Sequence, residues 1–92
     1  MMINIHENDE QVFRESCSGG FVEVAKWLMN ISKENDELIN IHAQDEKAFI
    51  DSYYYERIEV VKWLCSLCYN YYVEIKDNKI VNYRIIHAYD NF

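Results

Sequence analysis

Three kinds of residue in this chain have types and spacings that invite chemistry. Cys65 and Cys68 form Cys-x-x-Cys, the spacing of half a zinc site, in which two further ligands must close the tetrahedron. No second pair of ligands at such spacing is present, and a redox motif of this form wants a strand running into a helix. Both cysteines fall toward the end of a predicted helix, where small apolar groups pack well, so they are expected as buried thiols. His6, His42 and His87 each stand in an Ile-His-x-x-Asp segment. A metal or catalytic site would need them to converge, whereas one histidine per repeating segment spaces them apart. The expected role is structural, a hydrogen bond that fixes a loop or caps a helix. Asp9, Glu10, Glu34, Asp36 and Glu37 read as caps and solvated surface. No Gly-rich phosphate loop or Gly-x-Ser-x-Gly elbow is present. The expectation is a protein that is not an enzyme, with no cofactor and no metal.

The tyrosines are the third kind. Tyr53, Tyr54 and Tyr55 are consecutive, and Tyr69, Tyr71 and Tyr72 follow the next predicted helix. A tyrosine offers large area, a hydroxyl and few rotamers, which suits a protein interface. The plainer reading is that these rings cover neighbouring structure.

The chain as a whole bounds what these residues can serve. Its 92 residues suit one small domain with a limited core. Half of them are hydrophobic and 27% charged, a globular balance. The net charge of −7 argues against nucleic acid and against an anionic membrane surface, both of which need a positive patch. No apolar run reaches the roughly 18 residues of a membrane span. The N-terminal segment has no basic stretch followed by an apolar one, so no signal peptide is expected. Three cysteines cannot all pair within one chain, and reduced thiols in a cytoplasmic setting are expected.

The elements that position these residues come from an internal repeat. A shift of 36 residues lays 3–28 on 39–64 without a gap, and 13 of 26 positions are identical, among them His6/His42, Asp9/Asp45, Glu10/Glu46, Phe13/Phe49, Ser16/Ser52 and Trp27/Trp63. A period of about 33–40 residues belongs to helical repeats. Asp9 and Asp45 are the expected N-caps of a first short helix, which carries Phe13 or Phe49 inward. Gly19-Gly20 interrupts the first unit. Val22, Val24, Ala25, Leu28 and Ile31, matched by Ile58, Val60, Val61, Leu64 and Leu67, then mark a second amphipathic helix by their spacings of three and four. Trp27 and Trp63 are expected to face inward at equivalent positions.

The segment Gly20-Phe21-Val22-Glu23-Val24-Ala25-Lys26-Trp27-Leu28 resembles the Gly-His-Leu-Glu-Val-Val-Lys-Leu-Leu stretch of ankyrin repeats, and Ile58-Glu59-Val60-Val61-Lys62-Trp63-Leu64 is closer still. The Ile-His-x-x-Asp opening and Lys-Trp-Leu ending resemble the ankyrin repeat proteins that giant DNA viruses of amoebae encode. The absence of proline, with abundant Ile, Asn, Lys and Tyr, suits an A+T-rich coding sequence of that kind. The chain departs from the family in lacking its Thr-Pro turn, which reads Gln11-Val12 and Lys47-Ala48, and the second unit has Glu56-Arg57 at the Gly-His corner. The resemblance implies a non-catalytic protein-interaction module, placed in a host cytoplasm if viral. Family partner contacts cluster on the fingers and at the end of the first helix, which here gives Glu7, Asn8, Glu10, Ser18 and Gly19, with Ala43, Gln44, Glu46, Tyr54 and Tyr55.

Beyond residue 69 the period fails. Tyr71, Val73 and Ile75 alternate, as do Val81, Tyr83 and Ile85, and a three-residue loop around Asp77-Asn78 would join them as a β-hairpin. Ile86-His87-Ala88-Tyr89-Asp90 then repeats Ile41-His42-Ala43-Gln44-Asp45. The expected fold is all-α: a short ankyrin-type solenoid of two helix-pair repeats, 3–38 and 39–70, with a hairpin at 71–85 and the start of a third repeat at 86–92. About three units are usually needed for stability. The hairpin as C-terminal cap is favoured over self-association through an open end and over a truncated remnant without its own binding function.

Overall fold

The computed structural model describes residues 4–86. Helices α1 (Glu7–Ser18) and α2 (Val22–Glu34) form one antiparallel pair, and α3 (Ala43–Tyr54) and α4 (Ile58–Leu67) form a second. Strands β1 (Tyr71–Lys76) and β2 (Lys79–Ile85) follow as an antiparallel hairpin. α1 packs beside α3, and α4 carries the chain into β1.

The apolar spacing explains the helices. Ala25, Leu28 and Met29 on α2, and Val60, Val61 and Leu64 on α4, are buried against Phe13 and Cys17 of α1 and Ala48 and Phe49 of α3. Ser16 and Ser52 sit between the helices with their hydroxyls donating to the carbonyls of Val12 and Ala48, at 2.8 and 2.6 Å. Buried hydroxyls are therefore satisfied without leaving the helix. Both corners reverse through a positive φ, +80° at Gly20 and +55° at Glu56. They close alike, with Phe21 N–H donating to Ser16 O and Arg57 N–H to Ser52 O, each at 2.8 Å. The second unit thus keeps the corner after losing its glycine. At Gly20 a Cβ would lie 3.0 Å from Cδ of Arg57, so a larger residue there would have to displace that side chain.

Several expectations are corrected. The all-α solenoid does not hold, because the hairpin is part of the core. Tyr71 is buried and stacks on Phe49 with ring centres 4.3 Å apart, and Tyr83 packs on Tyr53 at 3.9 Å. The result is a globule of four helices and a two-stranded sheet. Its radius of gyration is 13.4 Å, near the ~12 Å of a compact chain this long. The hairpin loop has two residues and not three. Lys76 pairs with Lys79, and Asp77 and Asn78 both take positive φ, 52° and 60°, as a turn matching strand twist demands. A bulge between Glu74 and Ile75 in the register puts Ile80 opposite Ile75. Ile80, with Ile85, packs on the core, while Val81 turns out to solvent. One extra residue in a strand reverses which side chain faces inward.

Asp9 and Asp45 do not cap right-handed helices. Asn8, Asp9 and Glu10 have φ of 55°, 53° and 65°, and Gln44, Asp45 and Glu46 have 58°, 55° and 69°. Each first helix therefore opens with a left-handed turn, which disfavours L-residues by about 1–2 kcal/mol each, less for Asn and Asp. In the first unit Arg14 secures it, donating to the carbonyls of Asp9 and Asn8 at 2.9 and 2.8 Å. Trp27 and Trp63 are not equivalent. Trp63 is half-buried and meets Phe13 of the preceding unit at 6.0 Å, whereas Trp27 is 60% exposed. The expected third unit, with His87, lies outside the described residues.

Burial pushes the Cys17 thiol up to about 12. Burial, then the hydrogen bond and negative charge of Glu46, also raise the Tyr71 phenol. Both groups keep their protons in the folded protein at pH values where the unfolded chain begins to lose them. Stability is therefore full below pH 9, the usual thiol value, and falls as pH rises from there toward 12. Urea midpoints measured from neutral pH upward check this, and Cys17→Ala is expected to flatten the decline.

Candidate functional site

Each unit opens on the same side-chain clasp. The His6 Nδ1 atom lies 2.7 Å from Glu10 Oε1, and His42 Nδ1 lies 2.6 Å from Glu46 Oε1. In the first unit the other carboxylate oxygen, Glu10 Oε2, accepts the backbone N–H of Asn40 at 2.5 Å. Glu10 is buried by this arrangement and ties the first unit to the start of the second. In the second unit a tyrosine takes the place of that backbone donor. The Tyr71 hydroxyl donates to Glu46 Oε1 at 2.8 Å and lies 3.0 Å from His42 Nδ1. His6 and His42 are structural links, each fixing the residues around its left-handed turn. Asn4 and Asn40 add a matching bond, accepting the N–H of His6 and His42.

The clasp sets the histidine tautomer. An ionised carboxylate accepts only, so Nδ1 of His42 carries the hydrogen, and in the neutral ring Nε2 presents its lone pair. That lone pair faces Cys68 Sγ at 4.0 Å. The Cys68 thiol donates its one hydrogen to Asn70 Oδ1 at 3.2 Å, so the approach to His42 is a contact and not a second donation. Cys65 and Cys68 are half-exposed, which corrects their expectation as buried thiols, and only Cys17 of the three free cysteines is fully covered. Cys68 corresponds in the repeat to Ser32. There the hydroxyl donates to Met29 O at 2.7 Å and accepts the N–H of Ile39 at 3.3 Å. After Cys68 the hairpin replaces that stretch of chain, and the sulfur turns to His42 and Asn70 instead. Neither partner is visible from the spacing of Cys-x-x-Cys.

The residues expected on a partner surface fall into two groups. On the fingers, Glu7, Asn8 and Gln44 are exposed, Ala43 is half-buried, and Gln44 donates to Asp9 Oδ2 at 2.5 Å across the two units. Glu10 and Glu46 are withdrawn from that surface, since their carboxylates serve the clasps. At the helix corners the geometry is more concentrated. Arg57 donates from Nε to Ser18 O at 2.8 Å and lies over the Tyr55 ring at 5.9 Å. Tyr55 meets Tyr54 edge-on at 5.1 Å. Gly19 lies against the Phe21 ring so closely that a Cβ would stand 2.6 Å from it. Phe21, Tyr54 and Tyr55 are 62%, 72% and 54% exposed. A continuous patch results, from Phe21 through Gly19, Ser18 and Arg57 to the two tyrosines. Sequence reasoning missed Phe21 and Arg57. Arg57 sits where the family pattern has a histidine, and its reach across 39 residues to Ser18 leaves no local mark.

Among the described residues no group of three or more His, Cys, Asp or Glu is placed to hold a metal ion. No described helix is long and apolar enough to cross a membrane.

Glu10→Ala removes the carboxylate that accepts the part-buried Asn40 N–H. A loss of about 1–3 kcal/mol of unfolding free energy is expected, read from urea denaturation. The same substitution should leave the hairpin's hydrogen-exchange protection less affected than that of the 36–42 connector. Comparison of the chain with family models, curated proteins and solved structures gives no match.

Proposed function

We propose that this chain is a non-catalytic protein-interaction module, the role that its ankyrin-like segments imply, acting in a cytoplasmic setting suited to its free thiols. The observation that carries the reading is the exposed patch of Phe21, Tyr54, Tyr55 and Arg57. Large rings with few rotamers lose little entropy on contact, and aromatic residues with arginine are the types enriched at interface centres. The corner backbone beneath them is fixed by the Arg57–Ser18 bond, so the patch is organised before a partner arrives. The chain's net charge of −7 favours a partner with a basic rim. The Tyr54→Ala/Tyr55→Ala protein should keep its melting temperature and lose the partners captured by the wild type, with affinity falling by at least tenfold, or about 1.4 kcal/mol. Capture from a lysate by wild type and double variant alike would sink this assignment of the surface.

A second reading, self-association, has its own observation. Val12 and Val24 are 42% and 44% exposed, while their repeat equivalents Ala48 and Val60 are 1% and 0% exposed. In the second unit that face is covered by the first unit. On the first unit no described residue covers it, and a second copy meeting it face to face would. Light scattering should then give a dimer that Val12→Lys/Val24→Lys converts to monomer; a monomeric wild type at high concentration refutes it.

A further inference from the structure

Away from the aromatic patch, the fold brings a thiol from the end of α4 against an imidazole and a carboxylate from the start of α3. We propose that Cys68 is a nucleophilic thiol that exchanges with small aliphatic disulfides, with His42 as its base. The geometry has the order such chemistry needs, nucleophile to base and base to orienting group. Cys68 Sγ lies 4.0 Å from His42 Nε2, and His42 Nδ1 lies 2.6 Å from Glu46 Oε1. The thiol hydrogen rests on Asn70 Oδ1 at 3.2 Å and must turn from it to the imidazole; nucleophile–base pairs are often looser before a substrate is bound. The Tyr71 hydroxyl, donating to the same Glu46 oxygen, holds the carboxylate in place from the hairpin side.

The remaining cysteines and the other histidine show why the site is particular to Cys68. Cys17 is fully buried, with its thiol pushed up to about 12. Burial, and then the neighbouring Cys68, raise the Cys65 thiol. Among the described residues, neither lies against an imidazole. In the first unit His6 has the same carboxylate partner, but its Nε2 faces Glu37 Oε2 at 3.9 Å and not a thiol. The titratable groups against the pair are Glu46 from α3, Tyr71 from β1 and Cys65 from α4. Lys33 lines a groove of about 350 Å³ that also takes in Met29, Leu38, Ile41, His42 and Leu67. The groove is lined by the imidazole and by Leu67, the chain neighbour of Cys68, and its apolar wall with one ammonium group suits an aliphatic disulfide bearing a carboxylate.

The exchange balances without any other reagent. His42 Nε2 takes the Cys68 proton, and the thiolate attacks one sulfur of R–S–S–R. The Cys68–S–R bond forms as the S–S bond breaks, and the departing thiolate takes the proton from the imidazolium to leave as R–SH. Negative charge stays on sulfur throughout, so the reaction needs no oxyanion-stabilising donors.

Oxidised glutathione is the probe, added to the folded protein at neutral pH, with adducts located by peptide mass spectrometry. The Cys68 adduct should form about tenfold faster in the folded protein than in the same chain in urea, whereas Cys17 should react only when unfolded. His42→Ala should slow the Cys68 reaction about tenfold, and added imidazole should restore part of the rate. Cys65→Ser should leave the rate unchanged. The proposal is overturned by an adduct at Cys65 in preference to Cys68, by a folded rate no higher than the unfolded one, or by an unchanged rate in a folded His42→Ala protein. If that variant does not fold, the folded-to-unfolded ratio in Cys65→Ser decides the matter by itself.

Discussion

A carboxylate held between an imidazole and a donor from the next element governs how the parts of this protein meet. Glu10 accepts from the Asn40 backbone while engaging His6, and Glu46 accepts from the Tyr71 hydroxyl while engaging His42. Buried or half-buried, these carboxylates must be hydrogen-bonded or they would cost several kcal/mol. Each donor that satisfies one also fixes the element carrying it. The clasps therefore set where the second helix pair begins and where the hairpin docks.

The change of donor from Asn40 N–H to Tyr71 O–H explains how a repeat can end in a different fold. A third helix pair would present a backbone N–H to Glu46 and apolar side chains to Phe49. The hairpin answers both needs with one residue, since Tyr71 stacks its ring on Phe49 and reaches Glu46 with its hydroxyl. Val73, Ile80 and Ile85 extend the cover over the second unit. The substitution also frees Cys68 from the packing role of Ser32, which leaves a thiol against His42.

The two helix pairs are alike in backbone and unlike in exposure. Both corners use one left-handed residue and the same closing bond, and both first helices open through a left-handed turn. Yet the first unit has Val12, Val24 and Trp27 open to solvent where the second has covered counterparts in Ala48, Val60 and the half-buried Trp63. Exposure in a repeated unit depends on its neighbours, which identical residues in the two copies cannot express.

Much of the local structure was legible in the chain. The 36-residue identity located two helix pairs, the spacing of Leu28 and Leu64 with their neighbours marked the buried faces, and the alternation from Tyr71 to Ile85 marked a hairpin. These are short-range patterns, and periodicity reports them because one face of each element must leave water. The left-handed turns at Asn8–Glu10 and Gln44–Glu46 were not legible, since Asp9 and Asp45 suit a helix cap equally well. Nor was the bulge that exchanges Ile80 for Val81, because one inserted residue leaves no trace in composition. Of the residues expected on a partner surface, Tyr54 and Tyr55 are exposed, whereas Glu10 and Glu46 are drawn inward by partners from other elements. What only the tertiary structure decided is whatever depends on residues far apart in the chain: the hairpin as part of the core, Arg57 beside Ser18, and Cys68 beside His42. A contact across 26 or 39 residues is selected by how packed elements approach, and no local pattern in the sequence encodes that approach.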